Sequence, residues 1–136
     1  MNTPMPDDMN PTIEELQTQI AADPANARAH MKLGAKLIDE GLLEGGYQVY
    51  LEAVKYLALN MEAERGSESY QRSLADSVFA RYMIARVLEQ MGRTEEARPH
   101  WETCLTHLRT WMPAEYLHNH PIYIEALAKI DDNTSP

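Results

Sequence analysis

The sequence predicts an all-α fold, and three observations carry that reading. Apolar residues recur at spacings of three and four along most of the chain. Gly or Pro stands where these stretches end. No segment alternates apolar and polar residues as a half-buried strand does. At 136 residues the chain has the usual length of one domain, and with 44% hydrophobic and 24% charged residues it has the composition of a folded one.

Residues 1–10 carry three Met, two Pro, two Asp and two Asn without periodicity, the composition of a solvated arm. Order is expected from Pro11, read as a first helical residue, with Glu14 and Glu15 in the first turn and Ile13, Leu16 and Ile20 as the apolar stripe. Pro24 ends this helix. A second helix is capped by Asn26, lined by Ala29, Leu33, Leu37 and Ile38, and stopped at Gly41. The third, about 44–61, places Val49, Ala53, Val54, Leu57 and Met61 on one side, widened by Tyr50 and Tyr56.

"ERGSES" breaks the pattern. A fourth helix is expected from about Gln71 to Met91, with Leu74, Val78, Tyr82, Ala85 and Leu88 aligned and Gly92 as its stop. Thr94 reads as the cap of a fifth helix, Glu95 and Glu96 as its negative first turn, and Ala97, Trp101, Cys104, Leu105 and Leu108 as its buried stripe. Pro99 should kink or loosen its start without abolishing it. "PAEYLHNH" predicts a short helical turn. Pro121 opens a last helix lined by Ile122, Ala126, Leu127 and Ile130, and "DDNTSP" reads as a frayed tail.

Twelve Lys and Arg against twenty-one Asp and Glu give a net charge of −9, which opposes binding to a phosphate backbone or an anionic lipid surface. Neither nucleic acid nor a membrane is expected as a partner. No apolar run approaches the roughly 20 residues that span a bilayer, and the start resembles no signal peptide. The single Cys104 forms no internal disulfide. A soluble, cytoplasmic protein is the expectation.

Two stretches align at fixed offsets. Leu33, Gly34, Leu37, Gly41, Gly46, Tyr50 and Ala53 correspond to Ile84, Ala85, Leu88, Gly92, Ala97, Trp101 and Cys104, 51 residues later. With the lead-in "DPANARA", these offsets resemble those of the tetratricopeptide repeat superfamily. The resemblance covers about 27–60 and 78–111, roughly half the chain, with degenerate small and large positions and no invariant motif.

It implies a TPR-like right-handed stack of antiparallel helix pairs, with N- and C-terminal capping helices over a single domain at 11–131. An insertion at 61–77 would account for a spacing longer than the family period of roughly 34. Residues 112–131 would form the C-terminal cap and 132–136 a tail. The resemblance also implies a concave groove lined by Met31, Ala35 and Ile38 beside Tyr82, Arg86 and Glu89. The alternative for Met31, Ile38 and Tyr82 is that they fill space between helices. Some members clamp a terminal carboxylate with Lys and Asn at groove positions. Here Met31 and Ala35 stand in those places, which disfavours that activity.

His100, Cys104 and His107 fall on roughly one helix face, a pattern that fits either a metal cup or a packed helix. The repeat alignment turns Cys104 inward as a small filler, so no metal or thiol catalysis is expected; His118 and His120 would be the further ligands if a metal bound. No phosphate-binding Gly-rich loop, Gly-x-Ser-x-Gly or His-Glu-x-x-His occurs, and no cofactor is required. The function expected is therefore non-enzymatic: an adaptor or assembly chaperone that takes a peptide or helix of a protein partner, with basic residues attracted by the acidic surface. The alternatives are a self-associating module, as a homodimer, and a metal- or thiol-dependent enzyme.

Overall fold

In the computed structural model, residues 11–134 are described, the side chains of 132–134 excepted. The expected arm at 1–10 and the last two residues of the expected tail lie outside them. Seven helices follow in order: α1 Ile13–Ala22, α2 Ala27–Asp39, α3 Leu43–Ala63, α4 Glu68–Gln90, α5 Thr94–Trp111, α6 Ala114–Leu117 and α7 Pro121–Thr134. The described residues contain no strand, so the all-α class is what the chain adopts.

Helix ends follow from local chemistry. Thr12, not Pro11, sets the start of α1 as its cap: its side chain accepts from the Glu15 N–H at 3.1 Å, and Glu15 accepts from the Thr12 N–H at 3.2 Å. Pro11 precedes this cap, outside the helix, and is buried. Asn26 caps α2 as expected, accepting from the Ala29 N–H. Thr94 is the first residue of α5, and Arg93 precedes it without a side-chain cap.

The same closing motif ends α2 and α4. Gly41 (φ 81) donates to Ile38 while Leu42 donates to Leu37; Gly92 (φ 78) donates to Glu89 while Arg93 donates to Leu88. Both glycines sit in the left-handed region that a Cβ disfavours, and each pair of bonds satisfies carbonyls left open at a helix end.

Where the sequence pattern is weak, the helices extend further. α4 begins three residues before Gln71, and α3 reaches Ala63, so only the turn at 64–67 separates them. α5 continues unbroken through Pro99. The missing N–H frees the Glu95 carbonyl, and both residues lie on the exposed side where water can replace the bond. α7 runs to Thr134, four residues past the last apolar position and into the expected tail.

Packing is serial: α1 lies on α2, α2 on α3, α3 on α4, α4 on α5, and α5 on α7. Short links join α1 through α5 in turn, and a short reversal between packed neighbours makes each of these pairs antiparallel, while α6 stands between α5 and α7. One core joins α2 through α7, with Tyr50, Leu57, Ile84, Leu88, Trp101, Cys104 and Leu108 almost fully buried. At the α2–α3 crossing the backbones approach closely. A Cβ at Gly34 would stand 2.7 Å from the Tyr50 ring, and one at Gly46 would stand 2.6 Å from Ile38 and 3.1 Å from the Gly34 carbonyl. Ala85 and Ala97 occupy the corresponding places in α4 and α5 and are fully buried.

Candidate functional site

Between α2 and α4 lies an open groove of about 290 Å³ lined by Arg28, Met31, Lys32, Ala35, Tyr50, Asp76 and Phe79. Helical spacing explains the α2 side, since positions 28, 31, 32 and 35 form one stripe. Asp76 and Phe79 make the matching step on α4. Arg28 Nε donates to Asp76 Oδ2 at 3.2 Å and so ties the two walls together. Tyr50 closes the floor from α3. Burial, with a smaller contribution from Asp39, pushes its hydroxyl up to about 12, so it remains a neutral donor at any physiological pH.

Phe79, the chain's only phenylalanine, is 44% exposed at the rim and packs at 6.3 Å against the Tyr82 ring. A large aromatic left half in water at the edge of a groove is the kind of surface that contact with another molecule would bury. Sequence reasoning missed Phe79, Arg28 and Asp76. The signal was present but small: an aromatic one residue off the α4 stripe, next to Val78.

The structure divides the six expected groove residues. Met31 and Ala35 line the groove. Ile38 does not; it lies against Gly46 inside the α2–α3 hairpin. Tyr82 donates from its hydroxyl to Glu125 at 3.1 Å and accepts from Arg86 at 2.9 Å, while the Arg86 guanidinium stands 5.4 Å from the Tyr82 ring. Glu89 accepts from the Trp101 indole at 2.9 Å and pairs with Lys129 at 2.7 Å. Tyr82 and Glu89 thus bind α4 to α7 and α5, and only Arg86 of the second trio is exposed.

The face shared by His100, Cys104 and His107 has a geometric explanation. They surround a cation already in place, the half-buried guanidinium of Arg81 from α4. Arg81 Nη1 lies 3.1 Å from His100 Nδ1, which places the His100 proton on the other ring nitrogen. Burial first, and the Arg81 charge second, hold His100 down at about 4 and lower His107 as well. Cys104 is fully buried and its sulfur points to the Val78 carbonyl at 3.5 Å; burial pushes the thiol up to about 12. Such a thiol stays protonated at neutral pH and is a poor nucleophile.

His118 and His120 are occupied elsewhere. His118 meets the Tyr123 ring edge-on at 5.9 Å, and His120 Nδ1 accepts from the Ile122 N–H at 3.2 Å at the start of α7. Among the described residues no group of three or more His, Cys, Asp or Glu could hold a metal ion, and no helix is long and apolar enough to cross a membrane.

No family model matches the chain, and no curated protein does. A solved structure titled "Crystal structure of MamA" covers 98% of this chain and 98% of its own at 16% identity, with a TM-score of 0.32. That superposition is too loose to carry an argument, and the fold stands on the helices described above.

Proposed function

We propose that the chain is a divergent tetratricopeptide-like interaction module that holds a segment of another protein in the α2–α4 groove. The observation that carries this reading is the groove itself, in which a half-exposed Phe79 stands across from Met31 and Ala35 over an aromatic floor. Aromatic and Met side chains are enriched where binding energy concentrates, and Met adapts to several apolar shapes. The matched ends of α2 and α4 and the tight glycine and alanine crossings support the family assignment.

The groove's own charges refine the partner. Arg28 and Lys32 stand against Asp76 alone, so the lining is locally positive although the chain is strongly negative. A segment with one apolar anchor beside an acidic residue fits better than the basic partner suggested by net charge, because close charges dominate over those screened beyond about 8–10 Å. A buried thiol pushed up to about 12 removes the main support for the enzymatic alternative.

The test is affinity capture from native lysate with the wild-type chain and with Met31→Ala plus Phe79→Ala. A discrete protein should be retained by the first and lost with the second, while circular dichroism melts show both folded. A synthetic peptide from the captured protein should then bind wild type at least about tenfold more tightly than the variant. Equal capture by both chains would eliminate the groove.

A further inference from the structure

A second cavity, of about 250 Å³, opens between α3, α4 and α5 and shares no lining residue with the groove. Val54, Ala58 and Met61 of α3 form an apolar wall; Ser77 and Arg81 of α4 and His107 of α5 face it; Glu62, Arg65 and Tyr70 stand around the turn. Its polar side is incompletely satisfied. Arg81 Nε and His107 Nδ1 are both buried and have no hydrogen-bond partner. No carboxylate pairs with Arg81 among the described residues, although the chain has twenty-one acids. Burying an unpaired cation is costly, and the groups facing this one from α5 are His100, Cys104 and His107, none of them an anion at neutral pH.

The equivalent place in the first helix pair shows what a filled site looks like. Counting back the same 51 residues, Arg81 corresponds to His30 and His107 to Tyr56. Those two rings stack at 5.4 Å, and His30 Nε2 lies 2.8 Å from the Pro24 carbonyl. There the His30 ring is buried and its Nε2 is matched. In the second pair the same position holds a positive charge, unmatched nitrogens and a hollow.

We propose that this cavity binds a small organic carboxylate with a short apolar body, its charge on Arg81, its hydrogen bonds from Ser77 and His107, and its body against Val54, Ala58 and Met61. A carboxylate supplies the anion that Arg81 lacks, and a guanidinium offers it two parallel donors. The apolar wall selects against inorganic anions. Glu62, tied to Arg65 at 2.7 Å, stands nearby and would weaken binding slightly through like charge.

Thermal unfolding of the full chain at constant ionic strength, with benzoate, butyrate, inorganic phosphate and the uncharged benzamide as probes up to about 10 mM, tests this. Benzoate or butyrate should raise the melting temperature saturably, while benzamide and phosphate should not. Arg81→Gln should abolish the shift. Because that variant perturbs a packed residue, Ala58→Phe, which fills the cavity from the exposed side of α3, provides an independent block and should abolish it too. Glu62→Gln should tighten binding about two- to threefold. The proposal fails if neither carboxylate gives a saturable shift, if benzamide or phosphate matches them, or if Ala58→Phe leaves the shift intact.

Discussion

The α2–α3 and α4–α5 hairpins place residues at the same offsets and fill them by different means. In the first, the helices meet at glycines, and Tyr50 lies flat over Gly34. In the second, Ala85 and Ala97 keep a methyl each, Trp101 replaces Tyr50, and Cys104 replaces Ala53. The indole is larger than the phenol, yet it is anchored by a hydrogen bond to Glu89, which also reaches α7. One hairpin gains contact by bringing backbones together and the other by enlarging side chains. Only the second acquires a half-buried cation and two histidines at its edge. Similar offsets therefore fix where helices cross, while the residues at the crossing decide whether a polar cavity forms beside it.

The largest loss of stability is expected at Trp101. Trp101→Ala should destabilise the chain by about 3–5 kcal/mol in urea unfolding, since it removes a fully buried ring and leaves Glu89 without its indole donor. A loss below about 1 kcal/mol would mean the second hairpin does not depend on its aromatic.

Gly34→Ala tests the close approach in the first hairpin. Its methyl would meet the Tyr50 ring at 2.7 Å, and overpacking of this kind costs about 1–3 kcal/mol, partly offset by up to about 1 kcal/mol of helix propensity. Combining it with Tyr50→Leu should give a loss smaller than the sum, because the two residues touch. Additive losses would show that the crossing tolerates a methyl.

Cys104→Ala, which copies Ala53 into the second hairpin, should cost only about 1 kcal/mol. In the wild type, Ellman's reagent should label this buried thiol only as the chain unfolds. Rapid labelling under native conditions would contradict its burial.

A pH dependence arising in the second hairpin is the last expected effect. His100 is held neutral down to about 4 against an ordinary value of 6.5, so the unfolded chain binds more protons than the folded one between those values. Stability is therefore full above about pH 6.5 and falls as pH drops toward 4; His107 acts in the same direction. The melting temperature should decline from pH 7 to pH 5, and His100→Gln should flatten the decline. An unchanged slope in that variant would place the titration elsewhere.

Much of the fold was legible because it is written in neighbours. The stripe of Ala97, Trp101, Cys104, Leu105 and Leu108 and the stops at Gly41 and Gly92 depend on residues within a turn or two, and the chain follows them. Pro11 stands two positions before the first residue of α1 and Thr94 one position after the cap of α5, since several residue types can begin a helix and only hydrogen-bond geometry separates them. The groove was half legible: Met31 and Ala35 come from the repeat resemblance, whereas Phe79 and the Arg28–Asp76 pair depend on how α4 is turned toward α2.

The sequence alone determined that this chain is helical, where most helices stop, and which faces they bury, because hydrophobic period and capping are local properties of the backbone. Helix packing set the rest: Arg81 lies among His100, Cys104 and His107 without an acid, Tyr82 and Glu89 join α7, and Phe79 stays half in water. Those outcomes depend on the rotation and crossing of helices far apart in the chain, which no short-range pattern encodes.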